Sequence, residues 1–146
     1  MQKRRTAADA LPVPTESVEQ ISLFRWAHFS RGRYPELALL HHIPNGGTRS
    51  KSEAGRFRAE GVKAGVPDIC LPVARGGYHG LYIEMKRRKG GRLSADQAEW
   101  IEALMREGYV AAVCRGWQEA QALIERYLQG KMERSGSDGH DGTAAG

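Results

Sequence analysis

The pattern of apolar and polar residues predicts an α/β fold, a central mixed β-sheet flanked by helices, and three observations carry that expectation. Residues 81–86, Leu-Tyr-Ile-Glu-Met-Lys, alternate apolar and polar as a strand does when its two faces differ. A Gly-rich stretch at 74–80 separates them from a second apolar run at 68–73, which reads as a hairpin. Helical periodicities lie on both sides of this pair, giving the order helix, strand, helix, hairpin, helix, strand, helix. The chain has 146 residues, 40% of them hydrophobic, and shows no internal repeat, which suits one domain with little room for a second.

Taken in order, residues 1–14 read as a loose arm and residues 15–128 as the folded domain. Thr15 or Ser17 caps a helix running to about residue 30, with Val18, Ile21, Leu23, Phe24, Trp26 and Ala27 as its apolar surface. Residues 35–43, with Leu37, Leu39 and Leu40, are expected to form a first strand, ended by Pro44-Asn45-Gly46-Gly47. A short helix follows over 50–60. Beyond the hairpin, Ser94 opens a helix to about residue 107 and Gly108 stops it. The run at 109–114 is a further strand, and 117–128 a closing helix. From residue 129 to 146, Gly, Ser, Asp and Lys without periodicity predict a disordered tail.

The hairpin concentrates the chemistry. Side chains alternate along a strand, so Tyr82, Glu84 and Lys86 share one face, with Glu84 and Lys86 about 6 to 7 Å apart at the backbone. Antiparallel pairing brings the start of the first strand beside the end of the second, and Asp68 then meets Glu84. Two carboxylates supply the oxygen ligands that a hard cation such as magnesium or manganese requires, and the backbone carbonyl of Met85 adds a third. Lys86 beside them is suited to orienting or deprotonating a water and to offsetting negative charge as a phosphodiester is cut.

Charge agrees with such a substrate. The formal net charge is +5, which favours an anionic partner, and placement sharpens the point. Lys86-Arg87-Arg88-Lys89-Gly90-Gly91-Arg92 carries five positive charges and no negative one. Residues 49–63 add five basic residues, Arg49, Lys51 and Lys63 among them, against Glu53 and Glu60. Both runs flank the acidic centre, as a surface that grips DNA phosphates around a metal should. A basic run by itself is more often a solvated loop.

The motif Pro67-Asp68, then Glu84-Met85-Lys86, resembles the PD-(D/E)xK nuclease superfamily. Its surroundings, Gly61-Val62-Lys63-Ala64-Gly65-Val66-Pro67-Asp68 and Gly91-Arg92-Leu93-Ser94-Ala95-Asp96-Gln97, together with Thr15-Glu16-Ser17-Val18-Glu19-Gln20 and His42-Ile43-Pro44-Asn45-Gly46-Gly47, resemble the VRR-NUC family of virus-type replication and repair nucleases. The resemblance implies a restriction-endonuclease-like fold and a metal-dependent DNA endonuclease in which Asp68, Glu84 and Lys86 are catalytic. Glu16 would complete the metal shell, with Glu19 as the rival choice. The family also points to branched replication or repair intermediates, four-way junctions foremost, cut by a homodimer. A monomeric flap or single-strand nuclease and a non-cleaving nucleic-acid-binding module are the alternatives.

Other readings compete at single residues. An acid at position 16 is favoured by the helix dipole whatever the function. Ser94-Ala95-Asp96-Gln97 is a capping box, so Gln97 has a structural role beside a catalytic one. Strand alternation puts one of His41 and His42 inside and one outside. Gly46 to Ser52 nearly matches a phosphate loop, but Ser50 stands where the second Gly is needed. The two cysteines, Cys70 and Cys114, read as buried apolar residues of a reducing compartment, and no run reaches eighteen apolar residues. A soluble protein of a bacterial or phage-infected cytoplasm is the expectation.

Overall fold

The computed structural model of the protein describes residues 12–44 and 50–132. Most of the expected arm and tail, the turn at 45–47 and Arg49 lie outside the described residues.

A four-stranded mixed sheet organises the chain. Strands β1 (His41–His42), β2 (Ile69–Leu71), β3 (Leu81–Lys86) and β4 (Val110–Arg115) lie side by side in that order. Strands β1 and β2 and strands β2 and β3 pair antiparallel, whereas β3 and β4 run parallel. The parallel step needs a crossover, and helix α3 (Ala95–Arg106) supplies it. Helices α1 (Glu16–Phe29), α2 (Lys51–Ala59) and α4 (Trp117–Leu128) complete the set. The order and nature of these elements match the sequence reading except at residues 35–43.

There the expected strand is mostly a 3-10 helix, Pro35–Leu39, and only His41 and His42 join the sheet. Pro35 has no N–H to give a ladder, and its fixed φ suits a first helical turn. Leu37 and Leu40 are the buried residues, three apart as a 3-10 turn requires, while Leu39 faces outward. Both histidines are exposed, against the expected alternation, because a two-residue edge strand has no neighbour to cover either face.

The main core forms on one face of the sheet. Ile69 and Leu71, Leu81, Ile83 and Met85, and Val110 and Cys114 pack with Leu23 and Ala27 of α1 and with Ala120, Leu123, Ile124 and Tyr127 of α4. Tyr127 is buried outright, and its hydroxyl donates to the Val73 carbonyl at 2.6 Å, so its one polar atom is satisfied. The opposite face carries Asp68, Cys70, Tyr82, Glu84 and Lys86, and α3 lies over it. Burial of β3 on both faces exceeds the half-buried strand expected from its alternation. The loop before β2 touches the start of α3 at Gly65, whose φ is +88 and where a Cβ would come 2.5 Å from the Asp96 carbonyl carbon. Only glycine fits there.

Helix α1 buries Leu23 and Ala27 yet also presents Val18, Ile21 and Phe29 to solvent, at 50, 57 and 80% exposure. Helix α2 buries no residue at all.

Candidate active site

The β2–β3 register decides the centre. Ile69 faces Ile83 and Cys70 faces Tyr82, so one further step along the ladder sets Asp68 against Glu84. Asp68 is held there by the next residue of β3, since its Oδ2 accepts the Met85 N–H at 2.8 Å. Within a strand the N–H and C=O of one residue point to the same side. The Met85 carbonyl therefore also faces the Asp68 side, past the last pair of the β2–β3 ladder.

Glu84 is 3% exposed. Its Oε1 accepts from the Gln97 amide at 2.9 Å and lies 3.7 Å from the Lys86 ammonium. Its Oε2 is buried and meets no donor group, while the Glu84 and Asp68 carboxyls lie within hydrogen-bonding reach of each other. Burial foremost, and then the charge of the adjacent Asp68, push the Glu84 carboxyl up to about 8, against the pull of Lys86; Glu16 adds to the rise. A buried carboxylate oxygen without a donor is costly and rare, and beside a second carboxylate it calls for positive charge. Asp68, Glu84 and the Met85 carbonyl are all hard oxygen donors, so the residues present fit a divalent cation such as magnesium or manganese.

Glu16 stands at the rim rather than in the cluster. It is exposed, and a Cβ built on Gly91 would lie 3.9 Å from Glu16 Oε1 and 3.8 Å from Lys86 Cδ, so Gly91 is the point where the two side chains approach. Among the described residues no three His, Cys, Asp or Glu side chains converge into a cation site. Glu19, the rival for the metal, is otherwise engaged. It is 1% exposed, and its two oxygens accept from Arg88 Nε and from the Trp117 N–H, both at 2.8 Å.

Gln97 performs two roles in one geometry. Its Oε1 accepts the Ser94 N–H at 3.0 Å, and Ser94 Oγ accepts the Gln97 N–H at 3.2 Å, which is the capping box. The other end of the same amide donates to Glu84. The histidines do not enter the centre: His41 Nδ1 lies 2.9 Å from the Leu39 carbonyl and His42 Nδ1 2.8 Å from the Asp68 carbonyl.

Of the expected phosphate-gripping residues, Lys51, Lys63, Arg87, Lys89 and Arg92 are exposed. Arg87 also donates to the Val13 carbonyl at 3.2 Å. Arg88 is exposed too, and its guanidinium donates from Nε to Glu19 and from Nη2, at 2.9 Å, to Gln118. Sequence reasoning missed Arg115. Its guanidinium donates to the carbonyls of Arg87, Gly90 and Gly91 at 3.3, 2.8 and 3.4 Å, stapling the loop that follows Lys86 to the end of β4. Its partners lie 24 to 28 residues away, and no local pattern points to them.

Comparison with known proteins agrees with this fold. The VRR-NUC domain family matches residues 15–118. A solved structure of a VRR_NUC domain protein is 34% identical to this chain and superposes with a TM-score of 0.70, covering 82% of this chain and 92% of its own. Among curated proteins, none matches.

Proposed function

The chain belongs to the VRR-NUC family, whose members are nucleases of the PD-(D/E)xK type, and we propose that it is a divalent-metal-dependent DNA endonuclease acting on branched DNA, four-way junctions foremost. One observation carries the reading: the buried Oε2 of Glu84, which meets no donor, lies in a centre that also holds Asp68 and Lys86.

Asp68, Glu84 and the Met85 carbonyl would hold magnesium or manganese, with Glu16 reaching in from the rim. A divalent ion there supplies a lowered pKa for water and positive charge at the scissile phosphate. The chain's own residues do the rest. Lys86 keeps its ammonium 3.7 Å from Glu84, placed to orient the attacking water and to offset negative charge growing on the phosphate. Gln97 fixes the rotamer of Glu84, and the Met85 N–H fixes that of Asp68. Lys51, Lys63, Arg87, Lys89 and Arg92 grip neighbouring phosphates.

Paired cuts across a four-way junction need two centres, and the described residues form one, so the working particle is a homodimer. The outward apolar side chains of α1, Val18, Ile21 and Phe29, support that assignment. The 34–40 region is less suited to this role, since Tyr34, Leu37 and Leu40 are buried. Among the described residues no helix is long and apolar enough to cross a membrane, and the proposed setting is a bacterial or phage-infected cytoplasm.

Incubating labelled duplex, flap, single-stranded and four-way junction DNAs with the protein and each metal tests the reading. Paired, symmetric cuts in the junction are expected. Cutting of flaps or single strands by a monomer would replace the junction assignment, and binding without cleavage under either metal would overturn the nuclease mechanism.

A further inference from the structure

The clasp formed by Glu19, Arg88 and the start of α4 is an expensive construction for a domain of this size. A fully desolvated carboxylate is destabilising until its partners offset it, and an apolar replacement is commonly as stable or more so. Here the offset comes from two charge-assisted bonds at 2.8 Å, one from Arg88 Nε and one from the Trp117 N–H at the positive end of a helix dipole. Glu19 thereby caps α4 from another helix, because the residue in the cap position, Gly116, has no side chain to do so. Gly116 is also needed for the clasp itself. A Cβ there would stand 3.0 Å from Arg88 Cγ, and its φ is +86.

What the clasp joins is more telling than what it costs. Glu19 lies one turn after Glu16 on α1. Arg88 lies two residues after Lys86. Trp117 follows Gly116, whose N–H donates to the Lys86 carbonyl at 3.0 Å. The three anchors thus fix the first turn of α1 against the end of the strand that carries Glu84 and Lys86, and Gly91 marks the place where Glu16 and Lys86 draw together.

We propose that Glu19, acting through Arg88, is a positioning residue that sets Glu16 against the Asp68–Glu84–Lys86 centre and so tunes its affinity for a divalent cation. Arg88 accordingly belongs to the clasp and grips no phosphate, although it sits in the most basic run of the chain. The inference rests on the metal-site reading given above. Residues that orient a metal ligand commonly change metal affinity or activity by 10- to 100-fold when removed.

The test measures binding of manganese alone by isothermal titration calorimetry, with no DNA present, in the wild type, Arg88→Ala, Glu19→Gln, Glu16→Gln and the double variant Arg88→Ala/Glu16→Gln. Arg88→Ala should weaken manganese binding about tenfold. In the Glu16→Gln background the same substitution should have no further effect, because the residue being positioned is gone. A merely structural clasp would give additive losses instead, and that result overturns the proposal. So does unchanged manganese affinity in Arg88→Ala. A parallel titration of DNA affinity against salt should give the same slope for Arg88→Ala as for the wild type; a slope smaller by about one shows a phosphate contact and overturns the assignment of Arg88. Should Glu19→Gln fail to fold, Arg88→Ala carries the test, its side chain being 45% exposed. Wild-type protein that shows this coupling yet cuts no DNA would sink the nuclease reading and leave the positioning role standing. Cleavage with additive metal losses would do the reverse.

Discussion

Two basic stretches of this chain, residues 86–92 and 49–63, hold five lysines and arginines each and have opposite relations to the fold. Lys86 at the end of β3 is 7% exposed, and in the loop after it Arg88 is paired with a buried glutamate, Arg87 holds the Val13 carbonyl, and Arg115 gathers three of the loop's carbonyls. In α2 nothing is buried, and an ion pair at its end, Arg56 with Glu60 at 3.7 Å, is open to water on both sides. Counting lysines and arginines does not separate the two. The loop is tied into the framework around the centre, whereas α2 offers a charged surface open to water and to screening by salt.

The largest test of that difference lies where the loop begins. Lys86→Ala, Glu84→Gln and Asp68→Asn should each lower cleavage by roughly 100-fold or more, while DNA affinity stays within a few-fold, since affinity comes from phosphate contacts elsewhere. Single-turnover rates and a binding assay in calcium would check both halves. Removing every basic side chain of α2 should leave the single-turnover rate at saturating DNA unchanged.

The next effect concerns stability and pH. The Glu84 carboxyl is raised from 4.5 to about 8 on folding, by burial first and by Asp68 second. A raised pKa means that the folded protein holds the proton more tightly than the unfolded chain. The stabilisation is fully present below pH 4.5 and is lost as pH climbs through about 8. Metal-free protein should therefore unfold more easily in denaturant at pH 8 than at pH 5. Glu84→Gln should flatten that slope, and an undiminished slope in the variant would assign it to another group.

A smaller, graded effect should appear in salt titrations. Arg87→Ala, Lys89→Ala and Arg92→Ala should each lower the slope of log affinity against log salt by about one, as should Lys51→Ala and Lys63→Ala if α2 and the segment after it face the same DNA. An unchanged slope for the second group would confine the DNA to the loop side. The smallest expected change is that of Arg56→Ala on stability, within about 0.5 kcal/mol by thermal unfolding, because exposed pairs contribute little.

What the sequence disclosed and what it concealed follow the same division between local and distant causes. The hairpin, the Ser94 cap, the Gly108 stop and the bounds of α4 were readable because each depends on residues within a few positions. Residues 35–43 misled because leucines at 37, 39 and 40 satisfy an alternating template and a three-residue one equally well, and Pro35 decides between them. The pairing of Asp68 with Glu84 was accessible through the hairpin. The clasp was not: Glu19 reaches partners 69 and 98 residues away, and a glutamate in an early helical turn looks the same whether it faces water or the core. Burial of the polar face of β3 was likewise invisible, since it depends on α3 lying across it.

The capping boxes of α2 and α3 carry a lesson about interchangeability. At α2 the third helical position is Glu53, and at α3 it is Gln97; as caps the two residue types are equivalent. On the exposed helix an exchange between them would pass almost unnoticed. At position 97 the same exchange, one amide for one carboxylate with scarcely a change in shape, would turn the donor facing Glu84 into a third negative charge. A lineage drifting among sequences can thus wander freely at one cap and not at the other, and a substitution that any table scores as conservative becomes, at that place, a one-way door.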